Sequence, residues 1–589
     1  IMLLHDSHNE FYRTPSGPAP AGSNVLIRLH CDEATSVVLR TWMTEELCYT
    51  MLPTAEHVWE VAIPLPTTPG LFWYYFLIYR KDGRTIRYGN QPDKLGGVGV
   101  AYDHGEPESF QITLYDPAYK TPEAFHGANI YQIFPDRFRR TRVPKPDGLV
   151  GGRWVHSAWQ EEPEYRPDAN GEIRNRDFFG GDLRGVIEEL DYLQSLGVET
   201  LYFNPIFEAA ENHRYGTADY SRVDPMLGTN EDFSELCRQA HRRGMRVMLD
   251  GVFNHVGRGF WAFQDVKEKR EASPYKDWFH INFGGNSGYN DGFWYEGWEG
   301  HYELVKLNLQ NPDVVRHQFD AIREWVRLFD IDGLRLDVAY CLDRDFIARL
   351  RQFCCSLRPD FFLVGETLHG DYNQWVGEGK CHSCTNYECY KGLYSSLNDL
   401  NLFEIGHSLR RQFGSEPWCL YRGKKLLNFV DNHDVTRVAS ILRNPAHLPV
   451  IYGLLFAMPG IPCIYYGSEW GAQGDKAHGD AALRAAFERP QWNGLTDTIA
   501  AMAAARRRSA ALRDGEYAEV LLANRQYIFE RRCGDERVLC AVNADAAPYT
   551  AHFNAGCGRA VDLLTGVEHD FGGGSELAPY SVHYWLCEG

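Results

Sequence analysis

No apolar run in the chain approaches the ~20 residues that a membrane-crossing helix needs. The longest, near Ile451–Met458, falls well short. The N-terminal stretch IMLLHDSHNEF has neither the basic n-region nor the long apolar core of a signal peptide. Positive charge is also scarce: 60 Lys and Arg stand against 79 Asp and Glu, a net charge of −19. That balance argues against nucleic acid or an anionic membrane as partner, because both are gripped by Lys and Arg. A neutral ligand is compatible with it. No internal repeat or low-complexity linker stands out. The 15 cysteines are an odd count and lack zinc-ligand spacing; Cys381-x-x-Cys384 and Cys389 stand in a loop-like stretch. A disulfide framework is foreign to so long a chain, and reduced thiols in a cytoplasmic protein are the expectation.

What is present is a long chain of ordinary globular composition. Its 589 residues exceed what one core supports, so two to four domains are expected. Aromatics make up 14%, which suits flat sugar-binding faces and aromatic cores alike. Residues 1–118 carry strand-like runs (NVLIRLH, SVVLRTW, VWEVAIPL, LFWYYFLIY) separated by Pro, Gly and Asp turns, the pattern of a β-sandwich. Trp42, Trp59 and Trp73 in this unit are expected to pack in its core. From about residue 513 short strands return (EVLLAN, YIFERR, RVLCAVN) and predict a C-terminal β domain.

Between these ends, residues 119–512 alternate apolar runs with helical patterns. Four runs end in polar groups: RVMLDGVFNH with Asp250, Asn254 and His255; GLRLD with Arg335 and Asp337; FFLVGE with Glu366; and LLNFVDNHD with His433 and Asp434. Residues two apart on a strand share a face, so Arg335 and Asp337 project together, and the cation is expected to keep Asp337 ionised. Strand ends converge on one face of a (β/α)8 barrel, and that face bears the chemistry. IYQIF, LYFNPIF and IPCIYYG supply strands one, two and eight, and a sixth is expected near Cys384–Tyr387. Thr229 reads as a helix N-cap with Asp232 three residues on. Val315, Phe319, Ile322, Val326 and Phe329 form one apolar helix face after Pro312. About 256–309 is irregular and too long for a plain loop, which predicts a small inserted domain.

DGVFNH, GLRLDVA, GET and FVDNHD resemble the four signature regions of the α-amylase family, glycoside hydrolase family 13. LVKLN at Leu304–Asn308 is similar to the segment that marks its neopullulanase, cyclomaltodextrinase and maltogenic amylase branch. The resemblance spans about residues 129–511. It implies an α/β fold, a (β/α)8 barrel with a small B domain inserted, and a starch-binding-like N-terminal sandwich. It implies Asp337 as nucleophile, Glu366 as acid/base and Asp434 as the third acid. By the same resemblance His213, Tyr215, Asn254, His255, Arg335 and His433 hold substrate, with the Tyr215 ring stacking on a sugar. Trp294, Tyr295 and Trp298 are candidate platforms for further sugar units.

Three departures qualify the likeness. Gly216 stands where most relatives carry an acid, and Leu368 where the branch carries a Trp that holds acceptor sugars. The Asn and Asp cluster that binds calcium in several relatives is missing from PDRFRRTRVPKPDG, so no cofactor or metal is expected. The implied activity is retaining hydrolysis of α-1,4 bonds in maltooligosaccharides, cyclodextrins or pullulan. A 4-α-glucanotransferase, an exo-acting α-glucosidase or a non-catalytic carbohydrate binder remains open. The implied partner is a neutral α-glucan, and the branch also admits a homodimer.

Overall fold

The computed structural model describes residues 2–144, 152–169, 171–416 and 418–589. Eight short parallel strands form its centre: β1 (Ile130–Ile133), β2 (Thr200–Phe203), β3 (Arg246–Gly251), β4 (Gly333–Leu336), β5 (Phe362–Gly365), β6 (Ser383–Cys384), β7 (Leu427–Phe429) and β8 (Ile461–Tyr465). They pair in the order 6-5-4-3-2-1-8-7. A parallel bridge between Thr385 and Leu427 links β6 to β7 and closes the ring. Both faces of each strand are covered, so the strands read as continuous apolar runs rather than alternating ones. Tyr202, Met248, Phe362, Val364, Leu427, Phe429 and Ile461 fill the barrel interior.

The helices between strands begin and end as their sequences dictate. Thr229 caps Asn230–Arg242 through a reciprocal capping box with Asp232. Asn311 caps Pro312–Phe329, and Pro312 sits at the first turn where its missing N–H costs nothing. The buried face of that helix is rotated from the expected one. Val315, Ile322 and Phe329 are buried, but Phe319 and Val326 are only half-buried, and Gln318 and Trp325 go inward. Each of those two satisfies a barrel carbonyl: Gln318 Nε2 donates to Phe253 O at 3.0 Å and Trp325 Nε1 to Tyr220 O at 2.9 Å. The last barrel helices are Gly494–Arg508 and Ala510–Asp514. Among the described residues no helix is long and apolar enough to cross a membrane.

Before the barrel, two antiparallel-rich sheets face each other. Val25, Ile27 and Leu29 of one meet Val37, Leu39, Phe72, Phe76 and Ile78 of the other. Of the three tryptophans expected in this core, Trp59 packs against it, half-buried and paired across the strands with the inward-facing Leu29. Trp42 and Trp73 are cross-strand partners on the outer face, and Trp42 is 41% exposed. Strand alternation puts those two outside, because Thr41 and Phe72 beside them take the inward positions. After the barrel, a six-stranded antiparallel sheet runs from Glu516–Leu522 to Val582–Cys587. It is tied to the barrel by Arg531 Nη1, which donates to Ala457 O at 2.7 Å.

Two insertions rise above the C-terminal mouth of the barrel. Between β3 and β4 a three-stranded sheet (His255–Gly257, Gly297–Trp298, His301–Lys306) and the helix Trp261–Lys269 form a small domain. Between β1 and β2 a parallel pair, Trp154–Val155 with Asp177–Phe178, builds a second wall.

Candidate active site

The strand ends deliver their polar groups to one mouth, as the barrel geometry requires. Arg335, on β4, is nearly fully buried and touches three carboxylates. Its Nη1 donates to Asp250 Oδ1 at 2.8 Å and to Asp337 Oδ1 at 2.9 Å, and its Nη2 lies 3.1 Å from Glu366 Oε2. A single guanidinium thus spans Asp337 and Glu366. Glu366 Oε2 also accepts the Val338 N–H at 2.7 Å. Val338 has φ 43° and ψ 46°, a left-handed conformation that a β-branched side chain adopts only under strain. That turn aims its N–H at Glu366, so the chain immediately after Asp337 helps fix the second acid.

Burial drives the protonation of these groups. It raises Asp337 well above the usual carboxylate range, with Glu366, Asp250 and Asp434 adding to the rise and Arg335 opposing it. It raises Glu366 as well, again against Arg335. Arg335 favours the ionised form of Asp337 as expected, but burial and the neighbouring carboxylates oppose it. One positive charge divided among three carboxylates does not offset their desolvation and mutual repulsion.

Asp434 lies across from this pair, half-buried. Burial opposes its charge, but His433, Arg484 and Arg335 outweigh that and hold it at about 2. Burial also drives His433 down to about 3, so at neutral pH the imidazole is uncharged and the lasting pull comes from the arginines. Arg484 Nη2 is 3.2 Å from Asp434 Oδ1, and Lys476 Nζ donates to its main-chain carbonyl at 2.5 Å. His433 is held by Gln132 Nε2 at 2.9 Å from Nδ1 and by the Tyr215 hydroxyl at 2.8 Å from Nε2. The Tyr215 hydroxyl is in turn 2.5 Å from Asp250 Oδ2 and takes the Asn204 amide at 3.1 Å. Asp250 is thereby structural, orienting Arg335 and Tyr215. His255 Nε2 stands 3.7 Å from Asp337 Oδ2, and burial lowers it to about 3, so this contact is not an ion pair at neutral pH.

These groups open onto a cavity of about 1020 Å³. His213, Tyr215, His255, Asp337, Glu366, His433 and Asp434 line it. Two of the expected substrate contacts do not. Arg335 lies behind the acids it bridges, and Asn254 takes Lys306 Nζ at 2.9 Å and contacts His255 Nδ1 at 3.2 Å. Arg335 holds Asp337 and Glu366, Asn254 contacts His255, and these partners line the cavity. Of the three candidate platforms, Trp298 lines the cavity beside His255. Tyr295 is buried in the inserted domain against Arg258, and Trp294 is 37% exposed on an outer strand away from the cavity.

Several groups have little sequence signal. Gln132 is the one polar residue in the IYQI strand, and Asn204 directly follows β2, so both were legible in principle as strand-end polar residues. Arg484, Lys476 and Glu211 come from irregular segments where no periodicity marks them.

Asp136 and Asp182 accept hydrogen bonds from the fold itself. Asp182 Oδ1 accepts the Gly185 N–H at 2.7 Å, and its Oδ2 accepts the Thr141 N–H and hydroxyl at 3.0 and 2.8 Å. Asp136 likewise takes the N–H groups of Phe179 and Gly180. Residues 145–151, which include the end of the segment PDRFRRTRVPKPDG, lie outside the described residues.

The fold is an α/β barrel, and its strand ends gather acidic side chains around one cavity. The model of the alpha amylase catalytic domain matches residues 132–514, and the chain belongs to the α-amylase family, glycoside hydrolase family 13. Residues along 61% of the chain are 35% identical to an intracellular maltogenic amylase from Bacillus subtilis (strain 168), of which they span 58%, a little over half. A cyclomaltodextrinase from Geobacillus thermopakistaniensis is 30% identical over 84% of either chain. A solved cyclomaltodextrinase superposes with a TM-score of 0.71 at 26% identity, covering 100% of this chain and 99% of that one.

Proposed function

We propose that the protein is a retaining α-glucan hydrolase that cleaves α-1,4 bonds in maltooligosaccharides, cyclodextrins or pullulan. The observation that carries the reading is Arg335 spanning Asp337 and Glu366 at adjacent strand ends, with Asp434 facing them in the same cavity. The names of the similar proteins, maltogenic amylase and cyclomaltodextrinase, support the substrate class.

In the first step Glu366, whose carboxyl burial shifts toward the protonated form, protonates the glycosidic oxygen. Asp337 attacks the anomeric carbon, the carbon–oxygen bond breaks, and a glycosyl ester forms on Asp337. In the second step Glu366 takes a proton from water, and the water oxygen attacks the same carbon. The ester bond breaks and both carboxyls return to their starting states. Asp434, held ionised by Arg484, accepts bonds from sugar hydroxyls that strengthen as positive charge develops on the ring. His255 and His433, neutral at working pH, can bond hydroxyls without adding charge. A cytoplasmic setting belongs to the same reading: all 15 cysteines are free thiols, which suits a reducing compartment, and the Bacillus relative is named intracellular.

The test is Asp337→Asn on maltohexaose. Turnover is expected to fall by several orders of magnitude with the thermal melt preserved, because no covalent intermediate can form. Proton NMR of the wild-type reaction should show the α-anomer released first. Near-normal turnover in the variant, or initial release of the β-anomer, overturns the proposed mechanism.

A further inference from the structure

Gly216 leaves a vacancy of chemistry but not of space. A Cβ built on Gly216 would fall 2.5 and 2.6 Å from the two carboxyl oxygens of Glu211. The side chain of Glu211 therefore occupies the volume into which an acid at position 216 would project. Glu211 is 5% exposed and forms part of the cavity wall beside His213 and Tyr215. Its Oε2 is buried and has no hydrogen-bond partner. A buried carboxyl oxygen without a partner costs stability, and such groups call for a reason. Burial pushes this carboxyl up to about 7, with Arg176 opposing and Glu303 adding to the rise. Arg176 and Glu303 line the same cavity. Glu211 thus faces the wall built by the two insertions, whereas Asp337, Glu366 and Asp434 group around Arg335.

We infer that Glu211 is a substrate-binding residue that sets chain-length preference: its carboxyl takes a sugar hydroxyl of a glucosyl unit beyond the reacting one, replacing an acid that position 216 lacks. The inference rests on the α-glucan reading above. A glutamate reaching across from five residues upstream delivers its carboxylate to the same point in space from a different backbone anchor. The glycine at 216 is then the condition for it, since any side chain there would collide with Glu211. Bound substrate would supply the donor that Oε2 lacks in the free protein. A hydroxyl bonded to a carboxylate in a dry wall contributes enough to shift binding by about tenfold.

The experiment measures kcat and KM for maltotriose and maltohexaose in four proteins: wild type, Glu211→Gln, Glu211→Ala, and Glu211→Ala combined with Gly216→Asp. Removing the carboxyl should raise KM for maltohexaose about tenfold in Glu211→Ala, with a smaller change in kcat and a smaller KM change for maltotriose. The double variant restores an acid to the same volume and should recover most of the loss, which a merely structural role would not allow. Glu211→Gln keeps the shape and guards against a misfolded alanine variant; its KM should lie between wild type and Glu211→Ala. Unaltered KM in both single variants, or a double variant no better than Glu211→Ala, overturns the inference. If wild type turns over neither substrate, it is the α-glucan reading itself that fails.

Discussion

Leu368 stands two residues after Glu366, 37% exposed, on the rim of the cavity. A leucine offers an incoming sugar a small, rounded apolar surface, whereas a tryptophan would offer a flat face on which a pyranose ring can stack. On the proposed mechanism, weak acceptor holding would leave the glycosyl intermediate to water. Leu368→Trp is therefore expected to raise the ratio of transfer products to hydrolysis products on maltotriose, by several-fold at high substrate concentration. Chromatography of the product mixture measures it, and an unaltered ratio would show that acceptor binding is set elsewhere. At this scale the sequence was most legible where chemistry sits at strand ends: Asp337, Glu366, Asp434, His255 and His433 all reach the cavity. It was least legible where a residue's role depends on who shares it. Arg335 beside Asp337 in sequence looks like a private partner, yet in space Asp250 and Glu366 compete for the same guanidinium. Asn254 has the polarity of a site residue but spends it on Lys306 and His255.

Among the elements, the short helix Ser468–Trp470 after β8 joins the last strand to the first helical layer. Its Glu469 is fully buried, accepting from Tyr192 at 2.9 Å and from the Gly467 N–H at 2.6 Å, while its carbonyl takes the Thr496 hydroxyl at 3.0 Å. Its carboxyl and its main-chain carbonyl together tie the end of the barrel to an early helix and a late one. Burial raises the carboxyl from 4.5 to about 7, so the folded chain keeps a proton that the unfolded chain releases. Such a group stabilises fully below the unfolded value, and that stability is lost as pH rises through the folded value. The loss is on the order of 3 kcal/mol across the whole interval. Tm should accordingly decline between pH 5 and 7.5, and Glu469→Gln, a neutral side chain of the same shape, should flatten that decline. Calorimetry on both proteins over this range decides it; parallel curves would show that Glu469 is not the titrating group. The elements themselves were legible because caps and periods are local: Thr229 with Asp232, and Pro312 after Asn311, mark their helices unaided. The rotated face of Pro312–Phe329 was not, since Gln318 and Trp325 go inward only because Phe253 and Tyr220 present carbonyls there.

For the whole molecule the question is what can enter. The cavity holds about 1020 Å³, near the upper end of pockets that enclose a small ligand, and the two insertions wall two of its sides. Trp298, Glu303 and Leu304 of the inserted domain close one side, and Arg174 and Arg176 of the segment between β1 and β2 close another. The inserted domain could be anticipated from the irregular run at 256–309. The second wall could not, because it depends on Trp154–Val155 pairing with Asp177–Phe178, two-residue strands too short to leave a pattern. A walled site admits a short chain or a flexible ring and rejects a branched polymer by collision, which is selection by exclusion as much as by contact. The expected outcome is a kcat/KM for maltohexaose and for a cyclodextrin at least tenfold above that for soluble starch, counted per accessible bond. Light scattering on the same preparation separates two causes. A dimer with this preference would let the N-terminal sandwich of one copy narrow the other's mouth, the arrangement that the resemblance to the cyclomaltodextrinase branch admits. A monomer with the same preference would assign the exclusion to the two insertions alone, and shortening the wall between β1 and β2 should then bring starch closer to maltohexaose. Starch cleaved as efficiently as maltohexaose would show that neither wall limits entry.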